Sequence, residues 1–240
     1  MPESLIITLI VFASALGTIT GFGTSTIMMP VLMMFFPTAE VLLFVSMIHW
    51  FNAIWRLIAF RKGFHLKLVL SYGLFGIVAA HFGAKAFFTI DEELVKKLIA
   101  CFLLFYSFFL YFKPSFQLKF NIFNSAIAGS ISGFIAGLIG MGGAIRGAFL
   151  SAFNFEKAVY LANAALILVL IDSSRLLTYL NQGLSFNNIL GMSNMKIFLA
   201  ILASFIGVQL GKYAVNKIPQ KFFRFIIAIF LFVVALKLFF

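Results

Sequence analysis

Charged side chains are scarce in this chain. They make up 10% of its 240 residues, and only seven residues are acidic. Soluble domains carry about 25% charged and roughly 45–50% apolar residues. Here hydrophobic residues reach 63%, and the mean hydropathy is +1.11. This composition excludes a water-soluble fold and predicts an all-α, polytopic integral membrane protein surrounded by a lipid bilayer.

Cysteine is nearly absent, and catalytic motifs are missing. The one cysteine, Cys101, lies in a run of Leu and Phe, which excludes an intrachain disulfide and a cysteine-based metal site. The sequence contains no His-x-x-Glu-His spacing, Gly-x-Ser-x-Gly elbow or Walker motif. An intramembrane enzyme is therefore disfavoured, and no cofactor or metal is expected. Without an ATP-binding domain, uphill transport would need an ion gradient or a partner.

Positive charge is spread along the chain rather than clustered. Eighteen Lys and Arg residues contribute to a formal net charge of +11, and most of them fall between apolar runs. This placement is typical of the flanks of membrane helices, so nucleic acid is not an expected partner. The N-terminus lacks the basic region of a secretory signal, so the first apolar run is predicted to be a retained helix.

Apolar runs of membrane-spanning length recur along the chain, since about 20 residues cross roughly 30 Å of hydrocarbon. The sequence predicts eight such segments: 5–34, 39–60, 66–88, 93–112, 121–149, 156–178, 191–214 and 219–239. The first and fifth are too long for one straight span, and both contain a cluster of glycines.

The two halves, 1–118 and 119–240, contain the same parts in the same order. Each begins with a glycine-interrupted helix and continues with a helix ending in Arg and then Gly, a third helix with a late Gly, and a fourth helix. Gly63 corresponds to Gly183, and Gly83 to Gly211. The pattern predicts two divergent four-helix repeats that together form one transporter domain.

The number of crossings decides how such repeats are related. Four crossings each would give both repeats the same orientation, about an axis along the membrane normal, unless a broken segment is re-entrant. With four crossings each, Lys and Arg are nearly balanced between the two sides, so the charge pattern leaves the orientation open.

The glycine clusters carry the strongest functional signal. The second cluster holds Gly140, Gly142 and Gly143, shortly before Arg146, and the first is Gly21-Phe-Gly23-Thr24-Ser25. One interpretation is close helix packing. The other is unwound backbone whose free N–H groups and helix N-termini bind an anion, which the charge of Arg146 favours. Arg146 itself has three interpretations: ligand contact, an internal salt bridge, or snorkelling to the surface if the fifth helix ends near residue 144.

Other polar residues lie within the apolar segments. Asp172 and Arg175 share a helix face, either as a neutralised pair or with Asp172 as a proton-coupling carboxylate. His49 and His81 are packing residues or proton relays. Asp172, Arg175 and His49 are thus the candidates for coupling to a proton or sodium ion. The buried amides Asn52 and Asn163 bridge helices or line a path, and Ser46 aligns with Asn163 in the repeat, so Ser46 and Asn163 are candidate lining residues.

These motifs resemble the TauE/SafE family of membrane permeases, which includes sulfite exporters. Gly137-Leu-Ile-Gly-Met-Gly-Gly143 matches the family's duplicated element, Gly-x-x-Gly-x-Gly-Gly followed by Pro, and Gly21-Phe-Gly-Thr-Ser-Thr with Pro30 matches it loosely. The resemblance covers essentially the whole chain. It implies secondary transport of a small anion that is sulfur-containing or organic, such as sulfite, thiosulfate or a sulfonate, across a bacterial inner membrane.

The substrate is expected to contact both glycine clusters. The expected contacts are Gly140, Gly142, Gly143 and Arg146 in the second half, and Gly21, Gly23, Thr24 and Ser25 in the first. Because the first element has Thr and Ser in place of glycines, the second half should dominate the site. The alternative is a non-transporting membrane scaffold in which the glycines only pack helices.

Overall fold

The structure, a computed structural model, describes residues 2–20, 23–60, 63–112, 117–214, 228, 229, 231–233, 235 and 236. Regular structure within these ranges is helical. The helices are α1 (Glu3–Thr20), α2 (Ser25–Leu32), α3 (Thr38–Ala59), α4 (Leu66–Phe87), α5 (Glu92–Phe112), α6 (Ile122–Ile139), α7 (Gly142–Ala152), α8 (Lys157–Asn181) and α9 (Asn194–Ala214), with a 3-10 turn at Ile189–Gly191 before α9. The predicted all-α class is confirmed.

Several helices have the length and composition of membrane spans. By those criteria, five helices of the described ranges qualify: α3, α4, α6, α9 and the Val159–Asn181 part of α8. Large apolar side chains are exposed on their outer faces, including Leu74, Phe82 and Phe198. Such a surface suits lipid, which removes the cost of exposing apolar groups to water.

The two long segments break where their glycines predict. Segment 5–34 forms α1 and α2, and segment 121–149 forms α6 and α7. Gly140 ends α6 in the left-handed conformation, with a φ of +74°, which glycine adopts without steric cost. Most of the predicted eighth segment, 219–239, lies outside the described residues. Its described positions are helical.

Helices α4 and α6 run in the same direction in close contact. A Cβ added to Gly129 of α6 would overlap the carbonyl oxygen of Tyr72 in α4, and one added to Gly137 would overlap that of Ala80. Residue numbers thus rise together along the two helices. Glycines allow this approach because they have no side chain between the backbones.

Helix α8 runs in that direction as well. The Ser174 hydroxyl donates to the carbonyl oxygen of Ile77 at 2.9 Å, and the Thr178 hydroxyl lies 2.9 Å from Nδ1 of His81, one turn farther along both α4 and α8. Therefore α4, α6 and α8 all begin at one end of the molecule. We call this the basic end, after Lys67 in the first turn of α4.

Helices α1, α3 and α9 begin at the opposite end. Nζ of Lys196, near the start of α9, lies 2.6 Å from Oε1 of Glu3 at the start of α1. The backbone N–H of Leu190 donates to Glu40, at the start of α3, at 2.9 Å. We call this the acidic end, after its two glutamates.

Each broken segment is consequently a re-entrant hairpin. Since α6 and α8 both begin at the basic end, α7 returns to it, and the N–H of Leu118 before α6 donates to Ala152 at the end of α7 at 2.9 Å. By the same argument α2 returns to the acidic end, where α1 and α3 begin. Helix α2 has 8 residues and α7 has 11, so at 1.5 Å per residue they extend only about 12 and 16 Å.

The hairpins change the relation between the halves. The two hairpins enter from opposite ends, so the four-crossing case that would give both repeats a common orientation does not apply, and the re-entrant case does. Hydropathy does not distinguish a long broken span from a hairpin, because both are continuous apolar runs.

The two halves also exchange packing partners. A Cβ added to Gly207 of α9 would overlap the carbonyl oxygen of Val11 in α1, and one added to Gly211 would lie 2.6 Å from that of Ala15. The first apolar segment of each half thus packs on the third segment of the other half: α1 packs on α9, and α6 packs on α4.

Candidate functional site

The tips of the two hairpins meet halfway along α3. Gly23, just before α2, has a φ of +89°, and a Cβ added to it would lie 2.8 Å from Nε2 of His49 and 3.3 Å from the Cα of Gly143. A Cβ on Gly140 would lie 3.0 Å from the sulfur of Met29 in α2. We call the meeting point of residues 23–25, residues 140–143 and His49 the junction.

Two helices begin at the junction, namely α2 at Ser25 and α7 at Gly142. The first turn of a helix leaves N–H groups without intrahelical partners and carries partial positive charge. Thr24 and Ser25 are fully buried, and Oγ of Ser25 has no hydrogen-bond partner among the described residues. The junction therefore holds several of the groups that bind anions.

His49 links the junction to a buried ion pair. Its Nδ1 lies 2.9 Å from Oδ2 of Asp172, and Nε of Arg175 donates to the other carboxylate oxygen at 2.7 Å. Nη1 of Arg175 donates to the carbonyl oxygen of Ala136 near the tip of the second hairpin at 3.1 Å. The predicted pairing of Asp172 with Arg175 is confirmed, and the network joins α3, α6 and α8.

Two groups lie against Nδ1 of His49: Oδ2 of Asp172 at 2.9 Å and Nη2 of Arg175 at 3.5 Å. The nearer carboxylate favours the neutral tautomer that carries its hydrogen on Nδ1, which leaves Nε2 as an acceptor. Nε2 points at Gly23 and has no hydrogen-bond partner within the described part of the chain. Protonation would turn this nitrogen into a donor facing the same space.

Arg146 lies in the interior. It belongs to α7, which continues to Ala152, and its side chain is 1% exposed. The interpretation in which Arg146 snorkels to the surface is therefore wrong, because the helix does not end near residue 144. Arg56 of α3 is buried to the same degree and lies close enough to Arg146 for their charges to interact.

The buried charges of this region do not balance. Arg56, Arg146 and Arg175 are cations, whereas among the described residues Asp172 is the sole buried carboxylate. With a neutral His49, the interior has two more positive than negative charges. An unpaired ion costs several kcal/mol to bury, so the region would be stabilised by an anion.

A family model described as "Sulfite exporter TauE/SafE" matches residues 6–238, which include both hairpins and the junction. The chain belongs to the TauE/SafE family. It is accordingly an integral membrane protein of a transporter family, in agreement with its apolar helices. A comparison with curated proteins finds no match.

Some predicted site residues of this TauE/SafE protein lie elsewhere. Asn163 donates to the carbonyl oxygens of Gly63 and Val159 at 3.0 and 2.6 Å and accepts from the N–H of His65 at 2.8 Å. These bonds hold the connection between α3 and α4 at the basic end. Ser46 is buried on α3 and donates to the carbonyl oxygen of its own helix at Leu42. Its hydroxyl is thus engaged within the helix.

The remaining polar residues have identifiable partners or places. Nδ2 of Asn52 donates to Ser14 at 2.8 Å and bridges α3 to α1. His81 is hydrogen-bonded to Thr178, as expected for a packing residue. Gly21 lies outside the described residues. No group of three or more His, Cys, Asp or Glu that could hold a metal occurs in the described ranges.

Arg56 is a site residue that the sequence does not indicate, because its apolar segment offers no carboxylate partner. Its neighbour Arg146 lies in the other half, 90 positions along the chain. The available signal was the cost of an arginine inside a membrane segment, which marks such residues as functional by default.

Proposed function

We propose that this TauE/SafE protein is a secondary transporter that moves a small anion through the junction. The observation that carries the proposal is the excess of buried positive charge beside the starts of α2 and α7. The substrate class that fits is a sulfur-containing or organic anion, such as sulfite, thiosulfate or a sulfonate. The proposed contacts are Gly23, Thr24, Ser25, Gly140, Gly142, Gly143 and Arg146, to which the geometry adds His49.

The proposed mechanism is alternating access between two inverted repeats, residues 1–118 and 119–240. The exchanged packing of first and third helices supports this relation, as do hairpins that enter from opposite ends. An axis in the membrane plane relates such repeats, and their substrate sites lie near the bilayer midplane at the repeat interface. His49 is near the middle of the 22-residue helix α3, at the depth where inverted-repeat transporters bind their substrate.

We propose a proton rather than sodium as the coupling ion. Nε2 of His49 faces the junction, and its Nδ1 lies beside the Asp172–Arg175 ion pair. Arg146 of α7 adds positive charge nearby. An imidazole changes charge near neutral pH and exchanges its role as acceptor for that of donor. An anion that enters the junction would favour the protonated ring.

The proposed location is a bacterial inner membrane, with the basic end in the cytoplasm. The connections from α3 to α4 and from α5 to α6, which join helices at the basic end, contain Arg61, Lys62 and Lys113 in their sequence. Lys67, Lys119, Lys157 and Lys212 lie near helix ends on the same side, and Lys85, Lys96, Lys97 and Lys196 lie near helix ends at the acidic end. Lys and Arg are enriched in cytoplasmic connections. The re-entrant hairpins produce this asymmetry, because they move Lys157 and Lys212 to the basic end.

The alternative is a membrane scaffold in which glycines only pack helices. Gly129, Gly137 and Gly207 do pack helices in this way. Gly23 and Gly140 differ, because they adopt left-handed conformations at the hairpin tips, which close helix packing does not require. Close packing alone also leaves the unpaired buried charges without a function.

Reconstituted transport tests the proposal. Proteoliposomes of the wild-type chain should take up sulfite, thiosulfate or sulfoacetate, and the same anion should raise the melting temperature of the detergent-purified protein. Arg146→Ala should abolish uptake while the chain remains folded. Absence of flux together with no stabilisation by any of these anions would favour the scaffold. Unchanged uptake by Arg146→Ala would remove that residue from the mechanism.

A further inference from the structure

Two buried arginines present the same unpartnered edge. In both Arg56 and Arg146, Nε and Nη2 have no hydrogen-bond partner within the residues that the structure describes. These nitrogens form one side of the guanidinium, where two N–H groups point in the same direction. Such an edge binds two oxygens of a planar or tetrahedral oxyanion at once. Arg175 differs, since its Nε is engaged by Asp172.

Both arginines lie between the junction and the basic end. Arg146 is four residues beyond the start of α7 at Gly142, and α7 runs from the junction toward the basic end. Arg56 is seven residues beyond His49 on α3, which corresponds to about 10 Å along the helix axis in the same direction. The pair is thus displaced from the hairpin tips toward one end.

The protein supplies no free counterion at this position. Asp172 already accepts from Nε of Arg175 and lies 2.9 Å from Nδ1 of His49, and within the described residues the chain buries no second carboxylate. The remaining polar groups near Arg146 include the hydroxyls of Tyr72 and Tyr160, which are neutral in their ordinary protonated form. Two like charges therefore lie close enough to repel, and the one carboxylate near both of them is already paired with Arg175, a state that a bound anion would relieve.

We propose that Arg56 and Arg146 together bind one small divalent oxyanion, at a second site on the basic-end side of the junction. This inference rests on the proposed anion transport and adds a second binding position to its path, with Arg146 shared between the junction and this position. Two guanidinium edges supply four N–H groups, which suits an anion with three or four oxygens. A dianion neutralises the two excess charges, whereas a monoanion neutralises only one. The pair therefore selects for anion charge as well as shape.

A pair of probes with the same shape and different charge tests this site. Sulfate is a tetrahedral dianion, and methanesulfonate replaces one of its oxygens with a methyl group and carries one charge. Binding of both is measured with the purified full-length chain in detergent. The wild-type chain should bind sulfate more tightly. Arg56→Gln and Arg146→Gln should each weaken sulfate binding more than tenfold, because two charge-assisted hydrogen bonds are lost. They should also abolish or reverse the preference for the dianion.

A matched control removes a cation that lies outside the pair. Lys67 is exposed at the basic end, so Lys67→Gln should leave sulfate affinity and the preference unchanged. The melting temperature of the anion-free protein gives a second readout. It should rise in Arg56→Gln, because that change removes one of two neighbouring like charges.

The possible results distinguish failure of the two-arginine site from failure of the proposed transport. Wild-type affinity for sulfate in either glutamine variant, or equal wild-type affinity for the two probes, would overturn the two-arginine site. Failure of Arg56→Gln to fold would also contradict it, since that result indicates an internal partner for the arginine. Sulfate binding that depends on both arginines, without flux of any anion, would instead refute the proposed transport and leave the site standing. Flux that is insensitive to Arg56→Gln would refute only the site.

Discussion

Alanine at Gly23 should obstruct the junction more than it disturbs the fold. The residue has a φ of +89°, and a Cβ would lie 2.8 Å from Nε2 of His49 and 3.3 Å from the Cα of Gly143. The left-handed conformation costs an L-residue about 1–2 kcal/mol. His49 cannot move away without stretching its 2.9 Å contact with Asp172, so overpacking adds about 1–3 kcal/mol.

Gly183 provides a matched control for the backbone strain. It has a φ of +95°, and a Cβ there would meet nothing within 4 Å. Gly183→Ala should therefore lower the free energy of unfolding by only the backbone cost of about 1–2 kcal/mol. The difference between the two variants, measured by denaturation in detergent, isolates the overlap at the junction.

Anion uptake into proteoliposomes is the functional assay for this pair of variants. Uptake by Gly23→Ala should fall by roughly tenfold or more, because 1.4 kcal/mol of lost binding is a factor of ten. Gly183→Ala should transport at the wild-type rate. Normal uptake by Gly23→Ala, or an equal loss in both variants, would refute the assignment of the hairpin tips to the substrate path.

Three further predictions concern the buried network and the orientation. His49→Gln should keep anion binding but make uptake independent of a pH gradient; uptake that still follows the gradient would exclude His49 as the coupling group. Asp172→Asn should lower the free energy of unfolding by about 3–5 kcal/mol, because it leaves Arg175 buried without its counterion, and a smaller loss with Arg175→Gln added would identify that cause. In cells, with Cys101 replaced by Ser, a membrane-impermeant thiol reagent should label a cysteine at position 96 and not one at position 119. The reverse pattern would invert the proposed orientation.

Much of the local structure could be predicted from the sequence. The glycine clusters predicted both helix interruptions, and the three-residue spacing of Asp172 and Arg175 predicted their ion pair. Both signals are local, since they depend on backbone freedom and on helical periodicity. The same reasoning identified the residues near residue 23 and residue 142 as candidates for one shared site.

Long-range relations could not be predicted in this way. The contact of His49 with Asp172 joins residues 123 positions apart, and no pattern in either segment indicates it. Helix direction stayed open because a hairpin and a broken span have the same hydropathy. Asn163 was predicted to line the path because it is a polar residue between apolar ones. Its amide instead donates to the carbonyl oxygen of Gly63, in the connection between α3 and α4.

The exchange of packing partners sets the order in which this protein can mature during synthesis. Helix α1 is made long before its glycine-lined partner α9, which follows almost 200 residues later: Val11 meets Gly207. At about 5–20 residues per second, α1 waits roughly 10–40 s in the bilayer before that face is covered. The partner of α6, by contrast, is already in place when α6 emerges, because α4 precedes it. The second hairpin can therefore dock on α4 as it is inserted, whereas the α9-facing side of the first hairpin is covered only after α9 has been made.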